Sequence, residues 1–428
     1  MEEKESSAIA WLLEVSSVSS NKYMDIEAPQ LGCKKIIGSN SPDFLEKIRE
    51  DFPDIHKVAK RNFKNLAVSF SGGKDSLVVL DLAERVGIKK AVFSNTTIEF
   101  DQTVDYVEFL NDFYSLNIDI VTPPRNFFEL VEDLGFPSRR FRWCCEVIKF
   151  GPLAKYAREN NIDGFITGLR KEESTRRKGY QKIDYNPVVP VPQINPILDW
   201  SESDVWNYIK TYKLPYNPLY DYFDRIGCWC CPYRTKKEWE KMKAIIPDKI
   251  KKLEDRLQKY AEKLGIGDKE KFIYQYGWTA WTPPLKKITS GVFYSIKNSS
   301  SESIEIIFLG DSESQINKIK NLLWILTDDY EVIGEGYHKK IRINLDGHPR
   351  KKIKILIEKA LNCIKCGACT ALCERNALYL VDNGISVNRK LCTHCLKCLN
   401  TGSKSSIRGA CIARNYLRSR NTLNQLIK

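Results

Sequence analysis

The stretch Leu66-Ala67-Val68-Ser69-Phe70-Ser71-Gly72-Gly73-Lys74-Asp75-Ser76 constrains the fold more than any other part of this chain. A short apolar run ends in a loop of serine, glycine, lysine and aspartate. An apolar helical pattern follows at Leu77, Val78, Leu80 and Leu82. That order predicts a strand, a phosphate-cradling loop and a helix N-terminus. Glycine lets backbone approach an anion closely, and the first amides of a helix point at it. Ser71, Gly72, Gly73, Lys74, Asp75 and Ser76 are therefore the expected nucleotide-binding residues. Lys74 supplies a cation, Asp75 a carboxylate able to hold Mg2+, and Ser71 and Ser76 hydroxyls. The spacing differs from the Gly-x4-Gly-Lys-Ser/Thr loop of nucleoside triphosphatases.

From Asn65 to about Pro232 the pattern alternates. Buried strands are expected at Leu66–Phe70, Lys90–Ser94, Ile118–Thr122 and Gly164–Thr167. Helices are expected at Ser76–Val86, Thr103–Ser115, Val147–Glu159 and Glu202–Thr211. This predicts an α/β fold, a parallel sheet with helices on both faces and its ligand at the carboxyl ends of the strands. The chain has 428 residues, which predicts several cores. The expected division is an N-terminal extension (1–60), the nucleotide-binding domain (61–235), a charged helical segment (236–285), a small α/β domain (286–355) and a cysteine module (356–428). A helix is expected at Phe44–Arg49, and Asn298-Ser299-Ser300-Ser301 reads as a hinge. No internal repeat stands out beyond the cysteine spacing.

The net charge is +13, and six Lys/Arg with no acid lie between Thr401 and Lys428. Such a balance suits phosphate-rich ligands, RNA or an acidic redox partner, and equally a lysine-rich solvated surface. Met1–Ser7 is acidic and polar, unlike a secretory signal, and no apolar run reaches membrane-spanning length. The expected location is the cytoplasm, where fourteen cysteines point to metal rather than disulfides.

Eight of these cysteines fall in two runs. Cys363, Cys366, Cys369 and Cys373 follow C-x2-C-x2-C-x3-C. Cys392, Cys395 and Cys398 repeat C-x2-C-x2-C, with Cys411 thirteen residues later. The order is similar to that of a bacterial-type ferredoxin domain with two [4Fe–4S] clusters. That resemblance implies one cluster on Cys363, Cys366, Cys369 and Cys411, and another on Cys392, Cys395, Cys398 and Cys373. The proline that usually follows the fourth cysteine is replaced by Glu374 and Ile412. Cys144-Cys145 and, about eighty residues on, Cys228-x-x-Cys231 offer four more thiols. They can hold a cluster, a tetrahedral zinc, or no metal, in that order of preference. Cys33 and Cys230 are left over.

The Ser71–Ser76 loop resembles the PP-loop of ATP pyrophosphatases and of their relatives that bind adenylyl sulfate. The cysteine-pair spacing looks like that of iron–sulfur APS/PAPS reductases. So does Arg142-Trp143-Cys144-Cys145-x3-Lys149-x2-Pro152-Leu153. Gly168-Leu169-Arg170-Lys171-Glu172-Glu173-Ser174-Thr175-Arg176-Arg177 is similar to their arginine loop. Asn195-Pro196-Ile197-Leu198-Asp199-Trp200 is similar to the segment before their last helix, which Ser201-x-x-Asp204 would cap. The likeness covers about residues 62–235. It implies a PP-loop, adenine nucleotide alpha hydrolase-like sheet, with Lys74, Asp75, Lys149, Arg170 and Arg176 as the catalytic set. The implied activity is reduction of an adenylyl-activated sulfate, fed by a low-potential electron donor through three clusters. Two departures stand against it. The Glu-Cys-Gly-x-His tail of thiol-dependent reductases is not found. Lys74 and Asp75 are both kept, as in ATP-using sulfurtransferases. A different reading is therefore ATP-dependent sulfur transfer to a nucleic acid such as tRNA. A third is a non-catalytic electron-transfer subunit.

Overall fold

The computed structural model describes residues 1–16, 63–281 and 293–399, apart from 141, 187, 190, 310, 311, 336–338 and 372. The Phe44–Arg49 helix, Cys33, Cys411 and the basic tail lie outside the described residues. Contacts divide the chain into two units, Met1–Thr122 with Tyr156–Cys231, and Pro123–Lys155 with Pro232–Lys428.

The first unit is built on a six-stranded sheet. Its strands are β1 (Leu66–Phe70), β2 (Lys90–Ser94), β3 (Asn117–Val121), β4 (Gly164–Ile166), β5 (Ile183–Tyr185) and β6 (Pro192–Ile194). Their order is β3-β2-β1-β4-β6-β5, parallel except for β5, which runs against β6. The chain steps outward from β1 to β2 and β3, then returns to the other side of β1 as β4. This reversal makes the carboxyl ends of β1 and β4 a topological switch point, where α/β sheets bind ligands. The turn before helix Glu202–Thr211 is the expected capping box: Ser201 Oγ accepts from the Asp204 amide, and Asp204 accepts from the Ser201 amide at 2.7 Å.

The first sixteen residues are not a trailing extension. Helix Glu2–Val15 puts Ala8, Trp11, Leu12 and Val15 into the core shared with Val68, Leu77 and Leu82. The spacing i, i+3, i+4, i+7 gives one apolar stripe, and burying it holds the helix in place. Trp11 is only 2 % exposed. Trp11→Ala should therefore cost about 3–5 kcal/mol, measured as a lower urea midpoint for the first unit. A change under about 0.5 kcal/mol would mean that the helix is not part of the core.

In the second unit, residues 123–155 pack with the chain beyond residue 231. Phe136 lies edge-on to Tyr260 and Trp278, at 5.3 and 5.8 Å. The charged stretch forms two helices, Lys236–Ile245 and Pro247–Leu264, and the second buries Ile250, Leu253, Leu257 and Leu264. Beyond them β7 (Phe293–Asn298), β8 (Ser303–Leu309), β9 (Tyr330–Ile333) and β10 (Lys340–Asn344) form an antiparallel sheet in the order β7-β8-β10-β9. The serine-rich stretch read as a hinge is the tight turn between β7 and β8. There Ser299 and Ser300 donate their amides to the Ser303 carbonyl.

The cysteine stretch is likewise not a separate folding module. Cys369, Leu378, Ile385, Val387 and Leu399 share one apolar core with Ile304, Ile319, Ile343 and Leu356. The hairpin of β11 (Leu378–Val381) and β12 (Gly384–Val387) is too small to bury its own apolar face, so it packs on helix Ser312–Leu323. Among the described residues, no helix is long and apolar enough to cross a membrane.

Candidate functional site

At the end of β1 the chain turns through Gly72, whose φ of +74° favours glycine. A Cβ there would also lie 2.6 Å from Thr103 Cγ2. Gly73 is the N-cap of helix Lys74–Arg85 and has no side chain to satisfy the first amides. The hydroxyl of Ser76 folds back to donate to the Gly73 carbonyl (2.8 Å) and accepts the Ser71 amide (3.2 Å). The loop is thus closed on itself at a helix N-terminus, the kind of backbone that can seat an anion.

The end of β4 reaches the same point. Gly168 sits so close to the loop that a Cβ would lie 2.6 Å from the Asp75 carbonyl carbon. Two residues on, Arg170 is 3 % exposed and donates from Nε to Asp75 Oδ1 at 2.5 Å. Its Nη1 donates to Glu172 at 2.9 Å. Lys74 is 6 % exposed, and its Nζ lies 3.4 Å from Asp75 and 3.3 Å from Glu202. Asp75 therefore stands between two buried cations.

Arg177, paired with Glu173, adds to this basic edge. Burial, and then the charge of Arg225, lower its guanidinium from the ordinary value. Crowded cations of this kind gain from a bound oxyanion. Arg176 lies in the short turn Thr175–Gly179 of the same loop.

Two residues of the site were not found from the sequence. Tyr220 Oη accepts the Lys74 amide at 2.9 Å, covering the helix N-terminus. Burial pushes its phenol up, so the hydroxyl stays protonated. Asn217 is 1 % exposed and donates its amide to the Gly72 carbonyl and to Thr103 Oγ1, both at 3.2 Å. The Asn-Pro turn that carries both residues was visible in the sequence, but its fold back onto the loop was not.

The structure thus brings Ser71–Ser76 and Arg170 together. Lys149 belongs to the second unit, on the π-helical turn Cys145–Phe150 beside Cys144 and Cys145. A hydrogen bond from Cys144, together with Arg142 and Lys149, brings the Cys145 thiol down to about 5 against the cost of burial. Arg142 donates to Cys145 Sγ at 3.3 Å. A low thiol in a cationic setting is a metal-ready or reactive one. In the first unit, Cys228 lies 3.4 Å from both Thr96 Oγ1 and Glu99. Its neighbour Trp229 donates its amide to the Ile98 carbonyl.

Four of the C-terminal cysteines have the donor chemistry that an iron–sulfur cluster would need. Cys373, Cys392, Cys395 and Cys398 line one solvent-open cleft. Those are the four thiols expected to share a cluster. Both C-x2-C-x2-C runs turn the same way. Lys365 and Gly367 flank Cys366 with positive φ, and His394 and Leu396 flank Cys395 likewise. Non-glycine residues adopt that conformation at a cost, and here it curls each run around one side. The Ala377 amide donates to Cys373 Sγ at 3.3 Å, as amides do around cluster sulfurs. Among the described residues, no three His, Cys, Asp or Glu side chains close on one point as a single-ion site does.

The description "Phosphoadenosine phosphosulfate reductase domain" matches residues 65–234. An uncharacterized protein of Methanocaldococcus jannaschii is 41 % identical over 212 residues, 48 % of this chain and 44 % of that protein. A second from the same organism is 33 % identical over 260 residues, 58 % of this chain and 62 % of that protein. The matches thus span about half the length of these two relatives. The adenosine 5'-phosphosulfate reductase of Halalkalibacterium halodurans is 30 % identical over 202 residues, 46 % of this chain and 86 % of that enzyme. With an enzyme of this kind covered over most of its length, the chain belongs to the phosphoadenosine phosphosulfate reductase family.

Proposed function

We propose that the chain reduces an adenylyl-activated sulfate to sulfite. The reading rests above all on one observation, the meeting of the Ser71–Ser76 loop with Arg170 at the β1–β4 switch point. The nucleotide phosphate would bind the helix N-terminus. The sulfate would face the arginine edge of Arg170, Arg176 and Arg177. In the reaction the S–O bond breaks, and the bridging oxygen leaves with the bonding pair on the nucleotide phosphate. Sulfur takes up two electrons and becomes sulfite. Lys74 and the arginines would stabilise the charge that develops on that phosphate. Clusters on the C-terminal cysteines, and a third on Cys144, Cys145, Cys228 and Cys231, would supply one-electron relay from a low-potential donor.

Lys74 and Asp75 also support the other reading, in which Mg-ATP adenylates a nucleic acid that then receives sulfur. Anaerobic turnover with APS, PAPS and ATP separates the two. Sulfite from APS or PAPS is the expected product. Pyrophosphate from ATP, dependent on added RNA and without sulfite, would replace the first reading with the second.

Iron should reach about twelve per chain after anaerobic reconstitution, if three [4Fe–4S] clusters form. Cys395→Ala should lower that by about four and leave nucleotide binding unchanged. One zinc per chain, with iron only at the C-terminal cysteines, would make the remaining four-cysteine site structural.

A further inference from the structure

Among the described residues two lysines are buried, Lys74 and Lys359. The first belongs to the nucleotide site. The second lies on helix Arg350–Leu361, 1 % exposed, among Ile355, Leu356, Ile357 and Ala360. Its ammonium donates to the Cys398 carbonyl at 3.1 Å. Cys398 lines the cleft with Cys373, Cys392 and Cys395. An ammonium is compact and strongly hydrated, so burying it is costly unless negative charge lies near. A lysine only filling space here would be replaceable by leucine or methionine. The cation is fixed instead behind the lining of the cleft, on the backbone of Cys398, one of the four thiols that would gather there.

We propose that Lys359 sets the reduction potential of the cluster held by Cys373, Cys392, Cys395 and Cys398. The inference rests on the cluster reading above. One-electron reduction adds one negative charge to the cluster, with no bond made or broken. A fixed cation in a low-dielectric wall stabilises the reduced form over the oxidised one and raises the potential. Cys395 is the exposed thiol of this cavity. Lys359 acts through charge, as a tuning residue, and touches neither nucleotide nor sulfate.

The test is an EPR-monitored redox titration of the full chain, reconstituted anaerobically. Lys359→Gln keeps a donor for the Cys398 carbonyl and loses the charge. It should shift one cluster's reduction equilibrium at least tenfold toward the oxidised form, about 59 mV more negative. Lys359→Arg should stay near wild type. Lys352→Met, whose lysine reaches the Leu399 carbonyl at 3.5 Å from a half-buried position, should move it far less. If Lys359→Gln loses its cluster, Lys359→Met reads the same charge with the apolar volume kept. A midpoint unchanged in whichever neutral variant retains iron overturns the proposal. So does an equal shift in the arginine variant, which would mean packing. Loss of iron from both neutral variants would also overturn it, since the lysine would then be needed for assembly. A wild-type chain that binds no iron at these four cysteines would remove the cluster itself, and leave the nucleotide site standing.

Discussion

Gly168→Ala should weaken nucleotide binding by about a hundredfold. The added methyl would lie 2.6 Å from the carbonyl carbon of Asp75, 2.7 Å from its oxygen and 2.8 Å from the Ser76 nitrogen. All three are backbone atoms, so no flexible side chain can swing away. The loop cannot retreat, because Asn217 and Ser76 hold the Gly72 and Gly73 carbonyls. On the other side, β4 is fixed to β1 by parallel pairing of Leu66 with Gly164 and Val68 with Ile166. Relief must therefore come from prying the ends of β1 and β4 apart. Overpacking of ordinary side chains costs about 1–3 kcal/mol, and a rigid backbone neighbour puts this case at the upper end. If that strain falls on the bound loop, affinity drops by about a hundredfold. Equilibrium binding of AMP or ADP measures it. Gly179→Ala is the control, since nothing lies within 4 Å of its added methyl. Affinity within twofold of wild type in the Gly168 variant would remove the site from this edge.

Much of this site is legible in the chain because it is local. The run Leu66–Phe70 and the loop after it follow from apolar patterning and glycine, and the strand has the expected bounds. Arg170 follows from its place just past a strand. Its partner does not, since Asp75 lies 95 residues away and only the sheet order brings the two together. Asn217 and Tyr220 act through a similar return of the chain, and neither residue type announces it. Other gaps are different in kind. The stripe Ala8, Trp11, Leu12 and Val15 was readable by spacing, but an acidic first turn masked it. Strands β5 and β6 have three residues each, too short for any period to show. The division before Cys363 failed because cysteine spacing speaks of ligands, whereas Leu378, Ile385 and Val387 decide the core.

Arg170→Met and Asp75→Asn should each destabilise the first unit by about 3 kcal/mol, the lower end for a broken buried pair because Asp75 is partly exposed. In Arg170→Met, Asp75 keeps Lys74 as its ion-pair partner. In Asp75→Asn, the guanidinium stays buried with Glu172 as its carboxylate. The double variant removes both charges, so its loss should be well short of the sum, with a coupling of about 1–3 kcal/mol. Stability would be partly recovered and turnover would not. Sulfite formation should fall by about a hundredfold or more in the two variants that lack Arg170, since a buried donor to an oxyanion contributes on the order of 3 kcal/mol to such a step. Thermal unfolding of the nucleotide-free chain, with sulfite release from APS, gives both quantities. If Asp75 serves as a magnesium ligand for ATP, Asp75→Asn should also remove magnesium-dependent pyrophosphate release. Additive losses in the double variant would show that the Arg170–Asp75 pair does not organise the site. An Arg170→Met chain that still makes sulfite at the wild-type rate would take the arginine edge out of the reaction.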